Sequence, residues 1–151
     1  MILGFELFVD VFLAAYFLEM GIAKTVICHP KDFGWFVSDV ILADFNSLFE
    51  LLKDESIADT PRQLEDLKFL TERWLQFYNS GQILVRPNSF WTTAHPFWRM
   101  PAFAPELYKA LQKSDLVIYK GDLNYRKLIE DVFPISSCLI SGVVASNDYI
   151  R

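Results

Sequence analysis

The chain has 151 residues, of which 52% are hydrophobic and 16% aromatic, a composition typical of one globular domain and not of a disordered chain. Its 14 Lys and Arg residues against 19 Asp and Glu residues give a formal net charge of -5, which argues against a nucleic-acid-binding surface. The two cysteines, Cys28 and Cys138, have no metal-binding or redox spacing, so we expect free thiols in a reducing compartment.

The first 24 residues are strongly apolar, but three acidic residues, Glu6, Asp10 and Glu19, interrupt them. A signal peptide begins with positive charge and continues with an uninterrupted apolar core. A transmembrane helix needs about 20 residues that are nearly free of charge. We therefore predict a mostly buried helix over 5–20, with Phe8 and Phe12 on its buried stripe, no membrane association, and a location in the cytosol or nucleus.

Short β-branched segments alternate with helical patterns along the rest of the chain. Strands are predicted at 25–29, 83–86 and 116–119, and further helices at 38–52, 61–78, 106–113 and 124–132. Ser38 or Asp39 is a candidate N-cap for the second helix, and Thr60 with Pro61 is predicted to start the third. This alternation predicts an α/β domain with a mainly parallel sheet.

A long irregular segment, 87–105, carries four prolines and two pairs of aromatic residues, at 90–91 and 97–98. Loops of this length in a compact domain are usually functional or are packed down by their own side chains. We therefore expect this segment to lie over a core or a site.

The segment "KGDLNYRK" (120–127) follows the third predicted strand and has the groups of an anion site. Gly121 lets the backbone approach a ligand, and the helix that follows offers free N–H groups and a positive dipole end. Lys120 and Arg126 add positive charge, and Asn124 can donate to an oxygen or accept from a sugar hydroxyl. The ends of parallel strands are where ligands bind in α/β sheets.

An ordinary strand-to-helix turn explains the same segment equally well. Gly121 then serves the turn, Asp122 caps the helix, and Arg126 with Lys127 forms a solvated face. The segment is not a Walker A motif, so it does not predict nucleotide binding. The residues by themselves leave both interpretations open.

Other candidate residues have stronger structural explanations. Asp39 is an N-cap or a hard-cation ligand, and its position at a predicted helix start favours the cap. Glu6 and Asp10 lie one helical turn apart, where a solvated or capping role is the simpler interpretation. The two histidines, His29 and His95, have no nucleophile beside them, which argues against a His-based triad.

Several segments, taken in order, resemble the damage-control phosphatases, in the branch described as sugar phosphate phosphatase and also as acidic residue methyltransferase. They read "GFELFVD", "GWFVSDVILADFNSLFELL", "RPNSFWTTAHPFWRMP" and "APELYKALQKSDLVIYKGDLNYRKL". The resemblance covers about Gly4 to Leu128, and "SFWTT" and "KGDLNYRKL" are long and unusual motifs. It implies a partial phosphatase domain over 1–128 and a divergent C-terminal tail over 129–151.

The resemblance implies a three-layer α/β/α, Rossmann-like fold and a metal-dependent phosphatase. The working metal would be Mn²⁺ or Ni²⁺, and the substrates would be small sugar phosphates such as fructose 1-phosphate and fructose 6-phosphate. Asp39 matches a family metal ligand, and Glu6 matches a substrate-contacting residue. The residues that match the substrate phosphate loop, to which Lys120 adds its charge, are Asp122, Leu123, Asn124, Tyr125 and Arg126.

The sequence departs from the family pattern at both ends. The other two metal ligands of the family are an adjacent Asp-Asn pair, and Met1 and Ile2 occupy the matching positions here. The expectation is therefore an incomplete version of the fold with impaired hydrolysis. A non-catalytic fragment with residual anion binding is one alternative. A protein-glutamate O-methyltransferase linked to the DNA damage response is another, although the sequence has no recognisable methyl-donor motif.

Overall fold

The computed structural model describes residues 3–36, 39–54, 56, 58–129 and 143–144. The chain divides into two compact units. Unit 1 comprises Met1–Gly34 and Val40–Pro87, and unit 2 comprises Trp35–Asp39 and Asn88–Arg151. Among the described helices, none is long and apolar enough to cross a membrane.

The described elements are a mixture of helices and strands, with one or more helices between successive strands, which confirms the predicted α/β class. The helices are α1 (Leu3–Glu19), α2 (Leu42–Lys53), α3 (Pro61–Asn79), α4 (Met100–Phe103), α5 (Pro105–Leu111) and α6 (Asp122–Ile129). The strands are β1 (Val26–Cys28), β2 (Ile83–Val85), β3 (Val117–Ile118) and β4 (Val143–Val144). Two 3₁₀ turns, Ser89–Thr92 and Phe97–Arg99, interrupt the long segment between β2 and α4.

Helices α1, α2 and α3 pack against one another in unit 1 and bury apolar stripes. The stripe of α1 consists of Leu7, Val11, Ala14 and Leu18. The predicted stripe was wrong at Phe12, which is 48% exposed, whereas Phe8 is partly buried and packs against this core. A helix that is apolar on all sides offers no contrast from which its periodicity could select the buried face. The prediction that this helix is mostly buried also fails, since one side of it is open.

The start of α3 follows the prediction. Thr60 Oγ1 accepts from the N–H of Gln63 at 3.2 Å, and Gln63 Oε1 accepts in return from the N–H of Thr60 at 3.1 Å. Pro61 occupies the first helical position, where a missing N–H costs nothing. This reciprocal capping box sets the helix start from local sequence alone.

Strands β1 and β2 pair in parallel, with Val26 opposite Ile83 and Cys28 opposite Val85. This pairing agrees with the parallel sheet expected from the sequence. Strand β3 differs, because it pairs antiparallel with β4. Its residue Ile118 is 39% exposed, whereas Val117 packs against the core of unit 2, so the strand is only partly buried.

The long segment after β2 folds over an aromatic core in unit 2. Phe90 and Trp91 are 2% and 4% exposed, and they pack with Met100, Leu107 and Leu111. The ring centroids of Phe90 and Trp91 lie 6.0 Å apart in an edge-to-face arrangement. The expectation that this segment is packed down by its own aromatic side chains is therefore confirmed for these residues.

Candidate functional site

Asp39 closes a tight turn in unit 2. Its side chain is 9% exposed, and its Oδ2 accepts from the N–H groups of Trp35 and Phe36, both at 2.9 Å. Two N–H donors on one oxygen hold the carboxylate in a fixed orientation. The carboxylate therefore organises the turn that contains it.

The predicted helix cap at Asp39 was wrong, and Ser38 lies outside the described residues. Helix α2 begins only at Leu42, and the carboxylate of Asp44 accepts from the N–H of Ile41 at 2.8 Å. Ile41 is extended and forms a parallel bridge with Lys31, so the helix begins four residues later than predicted. The acidic residue that contacts the start of α2 is therefore Asp44, whose carboxylate accepts from the N–H of the N-cap residue Ile41.

The described residues do not complete a metal site around Asp39. Divalent cations with oxygen ligands take about six donors in a regular arrangement. In the described part of the chain, no group of three or more His, Cys, Asp or Glu side chains could hold a metal ion. Asp39 therefore does not fit Mn²⁺ or Ni²⁺ without ligands from elsewhere.

Glu6 lies in the first turn of α1, in unit 1, and its side chain is exposed. Asp39 and the residues of the 120–126 segment belong to unit 2. The structure therefore brings the predicted phosphate loop and the predicted metal ligand into one unit, whereas Glu6 belongs to the other. A substrate contact for Glu6 stays a prediction.

The backbone of the 120–126 segment, called the phosphate loop below, turns sharply at one residue. Gly121 has a φ of 88°, in the left-handed region that favours glycine. Helix α6 begins at the next residue, Asp122, and the N–H of Tyr125 donates to the carbonyl of Gly121 at 3.1 Å. The first N–H groups of α6 precede this bond, so they are the donors that a helix start offers to an anion.

Side chains of the phosphate loop form hydrogen bonds with other groups of the same loop. Asn124 Nδ2 donates to the carbonyl of Lys120 at 2.8 Å, and Arg126 Nε donates to Asp122 Oδ2 at 2.6 Å. Oδ1 of Asn124 is buried and accepts no hydrogen bond from the described residues. The loop therefore presents an oriented guanidinium, whereas the amide oxygen of Asn124 is buried and is not exposed at the loop surface.

The remaining two side chains of the loop differ in exposure. Leu123 is 8% exposed and belongs to the apolar interior, so only its backbone can reach a ligand. Tyr125 is half-buried. Leu123 thus anchors the loop, and its predicted role in substrate binding is restricted to its N–H group.

Lys127 is the residue that the sequence interpretation missed. It was assigned to a solvated face with Arg126, but it is 6% exposed, and its Nζ donates to backbone carbonyls of the 90–93 segment. The sequence spacing between Leu123 and Lys127 could have indicated that Lys127 is buried. Residues four apart share a helix face, and Lys127 is four residues from the buried Leu123.

A cavity of about 230 Å³ lies in unit 2 between the first 3₁₀ turn and the start of α5. Its lining comes from Asn88, Ser89, Phe90 and Thr93 and from the 103–107 segment. It includes none of the predicted site residues. The predicted phosphate loop therefore lies outside this cavity.

Both histidines have structural contacts. The ring of His95 stacks on Phe103 with centroids 3.7 Å apart, and Nδ1 of His29 donates to the carbonyl of Arg86 at 2.9 Å. Burial is the main reason why the pKa of His29 lies below its usual value. These contacts agree with the structural roles expected from the sequence.

Comparison with known proteins identifies the family. The family model described as "Damage-control phosphatase ARMT1-like domain" matches residues 3–139. The chain is 39% identical over 128 residues to damage-control phosphatase ARMT1 of Mus musculus, which covers 85% of this chain and 28% of that protein. The corresponding protein of Homo sapiens is 38% identical over 85% of this chain and 27% of its own length.

A third relative gives the same result. Damage-control phosphatase ARMT1 of Xenopus laevis is 40% identical over 131 residues, covering 85% of this chain and 28% of that protein. The chain thus spans less than a third of the length of these curated relatives. Because the family model matches most of the chain, the chain belongs to the ARMT1-like domain family of damage-control phosphatases.

Proposed function

We propose that the phosphate loop holds the phosphate of small sugar phosphates, of the fructose 1-phosphate and fructose 6-phosphate class. The parent activity would be metal-dependent hydrolysis of the phosphomonoester with Mn²⁺ or Ni²⁺, in the cytosol or nucleus. The observation that carries the proposal is the turn at Gly121, whose φ of 88° leads directly into the start of α6. Family membership adds the reaction class.

The residues of the phosphate loop would contact the phosphate group in different ways. The N–H groups of Asp122, Leu123 and Asn124 precede the first bond of α6 and would donate to phosphate oxygens. Arg126 supplies a planar guanidinium, and Lys120 supplies a point charge. Because these donors are fixed before the ligand arrives, they bind charge that develops on the phosphoryl oxygens with little reorganisation.

Asp122 has a different role in this arrangement. Its carboxylate contacts Arg126 at 2.6 Å and orients the guanidinium, but it would repel a phosphate dianion. A carboxylate also accepts hydrogen bonds from sugar hydroxyls. We infer that Asp122 selects a sugar phosphate over inorganic phosphate, because only the sugar phosphate has hydroxyls to offset the repulsion.

Asp39 is the proposed catalytic and metal-binding carboxylate. Since the described residues do not complete its site, we propose that this chain by itself holds the phosphate group and hydrolyses it poorly. The same observation favours the second candidate, a non-catalytic anion-binding protein. The methyltransferase alternative stays a prediction from the resemblance, and titration with S-adenosylmethionine tests it.

Hydrolysis of fructose 1-phosphate, followed by phosphate release with and without Mn²⁺ or Ni²⁺, separates these candidates. The matched variant is Asp39→Asn, which keeps an oxygen to accept from Trp35 and Phe36 but removes the charge. Metal-stimulated hydrolysis that Asp39→Asn abolishes would establish the phosphatase for this chain. No stimulation, together with phosphate binding by calorimetry, would establish the anion-binding protein.

Binding by the loop is tested with charge variants of one residue type. Arg126→Ala is expected to weaken fructose 1-phosphate binding by about tenfold or more, since a charge-assisted hydrogen bond contributes about 1.5–3 kcal/mol. Arg62→Ala, on the exposed start of α3, is the control and should leave binding unchanged. Equal losses in the two variants would show that net charge, and not the loop, governs binding.

The role of Asp122 is tested with two ligands. Asp122→Asn should strengthen binding of inorganic phosphate, because a repulsive charge is removed. It should leave fructose 1-phosphate binding unchanged or weaker, because an acceptor for the sugar hydroxyls is lost. An equal increase in affinity for inorganic phosphate and fructose 1-phosphate would contradict the proposed selectivity.

A further inference from the structure

The ammonium group of Lys127 lies among backbone carbonyls of unit 2. Its side chain is buried, and Nζ is 2.5 Å from the carbonyl oxygen of Phe90, 3.0 Å from that of Thr93 and 3.3 Å from that of Trp91. An ammonium has three N–H donors and no acceptor, so three carbonyls match its capacity. Burying a charged group is costly unless its donors are satisfied, and here they are.

The carbonyls converge on this point because a 3₁₀ turn ends there. The carbonyl of Phe90 already accepts from the N–H and the hydroxyl of Thr93, at 3.2 Å and 2.9 Å, and Nζ of Lys127 is a further donor to it at this end of the turn Ser89–Thr92. The rings of Phe90 and Phe97 add to the attraction, with Nζ 4.5 Å and 5.8 Å from their centroids. The 90–93 segment is thus shaped to receive a cation.

The cation comes from the helix that starts in the phosphate loop. Lys127 directly follows Arg126 and lies on the same face of α6 as the buried Leu123. Helix α6 has eight residues, and its first five form most of the phosphate loop. An anchor at residue 127 therefore restricts both the rotation and the position of the loop.

We propose that Lys127 is a positioning residue. Its hydrogen bonds hold α6 against the 90–93 segment and thereby keep the N–H groups of the phosphate loop and the guanidinium of Arg126 in place. Lys127 itself does not touch the ligand. The consequence for ligand binding rests on the proposed function, whereas the effect on the loop itself does not.

Hydrogen–deuterium exchange of the full chain without ligand tests the effect on the loop. The variant is Lys127→Met, which keeps the length of the side chain but removes its charge and donors. We expect amides of 120–126 and of 90–93 to exchange about tenfold faster, as an opening free energy lowered by about 1.4 kcal/mol would produce. Amides of α3 should be unaffected. Unchanged exchange in 120–126 would overturn the proposal.

Calorimetric titration with inorganic phosphate tests the consequence for binding. Lys127→Met should raise Kd by about tenfold, and Lys127→Arg, which retains the cation and its donors, should restore most of the affinity. Lys109→Met is the control, because Lys109 is exposed on α5 and pairs with Glu106. Affinity that is equal in wild type and Lys127→Met would overturn the positioning role.

The two measurements separate the two proposals. If the wild-type chain binds no phosphate, the proposed function fails, and exchange in 120–126 alone decides the role of Lys127. If phosphate binds with equal affinity in Lys127→Met, the proposed function stands and the positioning role fails.

A milder variant keeps the test decisive if Lys127→Met loses its near-ultraviolet circular dichroism. Thr93→Val removes a hydroxyl that lies 3.4 Å from Nζ and donates to the carbonyl of Phe90 at 2.9 Å. The exchange rate of amides in 120–126 should rise about two- to threefold. This increase is smaller than that expected for Lys127→Met, because the contacts between Nζ and the backbone carbonyls remain. A folded Thr93→Val protein with no change in 120–126 would overturn the proposal.

Discussion

Units 1 and 2 organise their interiors by different means. Unit 1 buries apolar stripes from three helices together with the fully buried Ile83. Among its described residues, unit 2 has a core rich in aromatic rings, and it also buries the ammonium of Lys127 among carbonyls. Apolar contacts are non-directional, whereas hydrogen bonds fix orientation. Unit 1 also buries a lysine, Lys31, which is 6% exposed, so the difference between the units is one of degree: apolar helix stripes dominate unit 1, and the hydrogen bonds of Lys127 fix orientation in the aromatic core of unit 2. Substitutions should therefore have different effects in the two units.

The largest expected effect tests the dependence of unit 1 on apolar volume. Phe77 is 6% exposed in its core, and Phe77→Ala should lower the free energy of unfolding by about 3–5 kcal/mol. The control is Phe69→Ala on the same helix, where the ring is 65% exposed and the loss should stay near the surface average of about 0.5 kcal/mol. Urea denaturation measures both, and similar losses would contradict the stripe assignment.

The next effect tests the dependence of unit 2 on backbone geometry. A Cβ at Gly121 would meet nothing within 4 Å, so strain at its φ of 88° is the expected cost of Gly121→Ala. The free energy of unfolding, measured by urea denaturation, should fall by about 1–2 kcal/mol, and phosphate should bind more weakly. Gly121→Asn should lose less, because asparagine tolerates left-handed conformations. Equal losses in the two variants would show that strain is not the cause.

A smaller effect isolates a purely local interaction in unit 1. Thr60→Ala removes the oxygen that accepts from Gln63 and should lower the free energy of unfolding by about 1 kcal/mol. Thr60→Ser keeps the hydroxyl and should be nearly neutral. Thermal unfolding of the two variants measures the difference. A loss of stability in Thr60→Ser as large as that in Thr60→Ala would indicate that the methyl group matters more than the cap.

The smallest effect is a pH dependence in unit 1. Burial lowers the pKa of His29 below 6.5, and the charge of Arg86 adds to this, while the hydrogen bond to the Arg86 carbonyl opposes it. The unfolded chain therefore takes up the proton first as pH falls. Stability from this group is fully present above pH 6.5 and declines until the folded pKa is reached.

The variant His29→Gln isolates this contribution. The difference in unfolding free energy between wild type and variant should shrink or change sign as pH falls through that window. Urea denaturation at several pH values measures it. A difference that is constant with pH would show that His29 is not titrating differently in the folded chain.

The sequence predicted some elements well because short-range contacts decide them. The helix start at Thr60 and Pro61, with its capping box, depends on residues a few positions away. The β-branched runs of β1 and β2 were also found, and they pair in parallel as expected. The predicted boundary at residue 128, the three-layer arrangement and the role of Glu6 stay predictions.

Other features depended on distant partners and were missed. The bridge between Lys31 and Ile41 shifts the start of α2 and leaves Asp39 to a different turn. The antiparallel pairing of β3 with β4 joins residues more than 20 positions apart. Periodicity describes one segment at a time and contains no information about such partners.

The amino-acid sequence by itself determined the α/β class, the helix starts with strong caps, the glycine at the head of the phosphate loop and, through its motifs, the family. Only the tertiary structure decided which side of α1 is buried, what Asp39 holds and where Lys127 points. The physical reason is the distance along the chain over which each kind of interaction acts. Propensities and caps act over one or two helical turns, whereas burying a charge requires carbonyls that, for Lys127, lie 34 to 37 residues away along the chain.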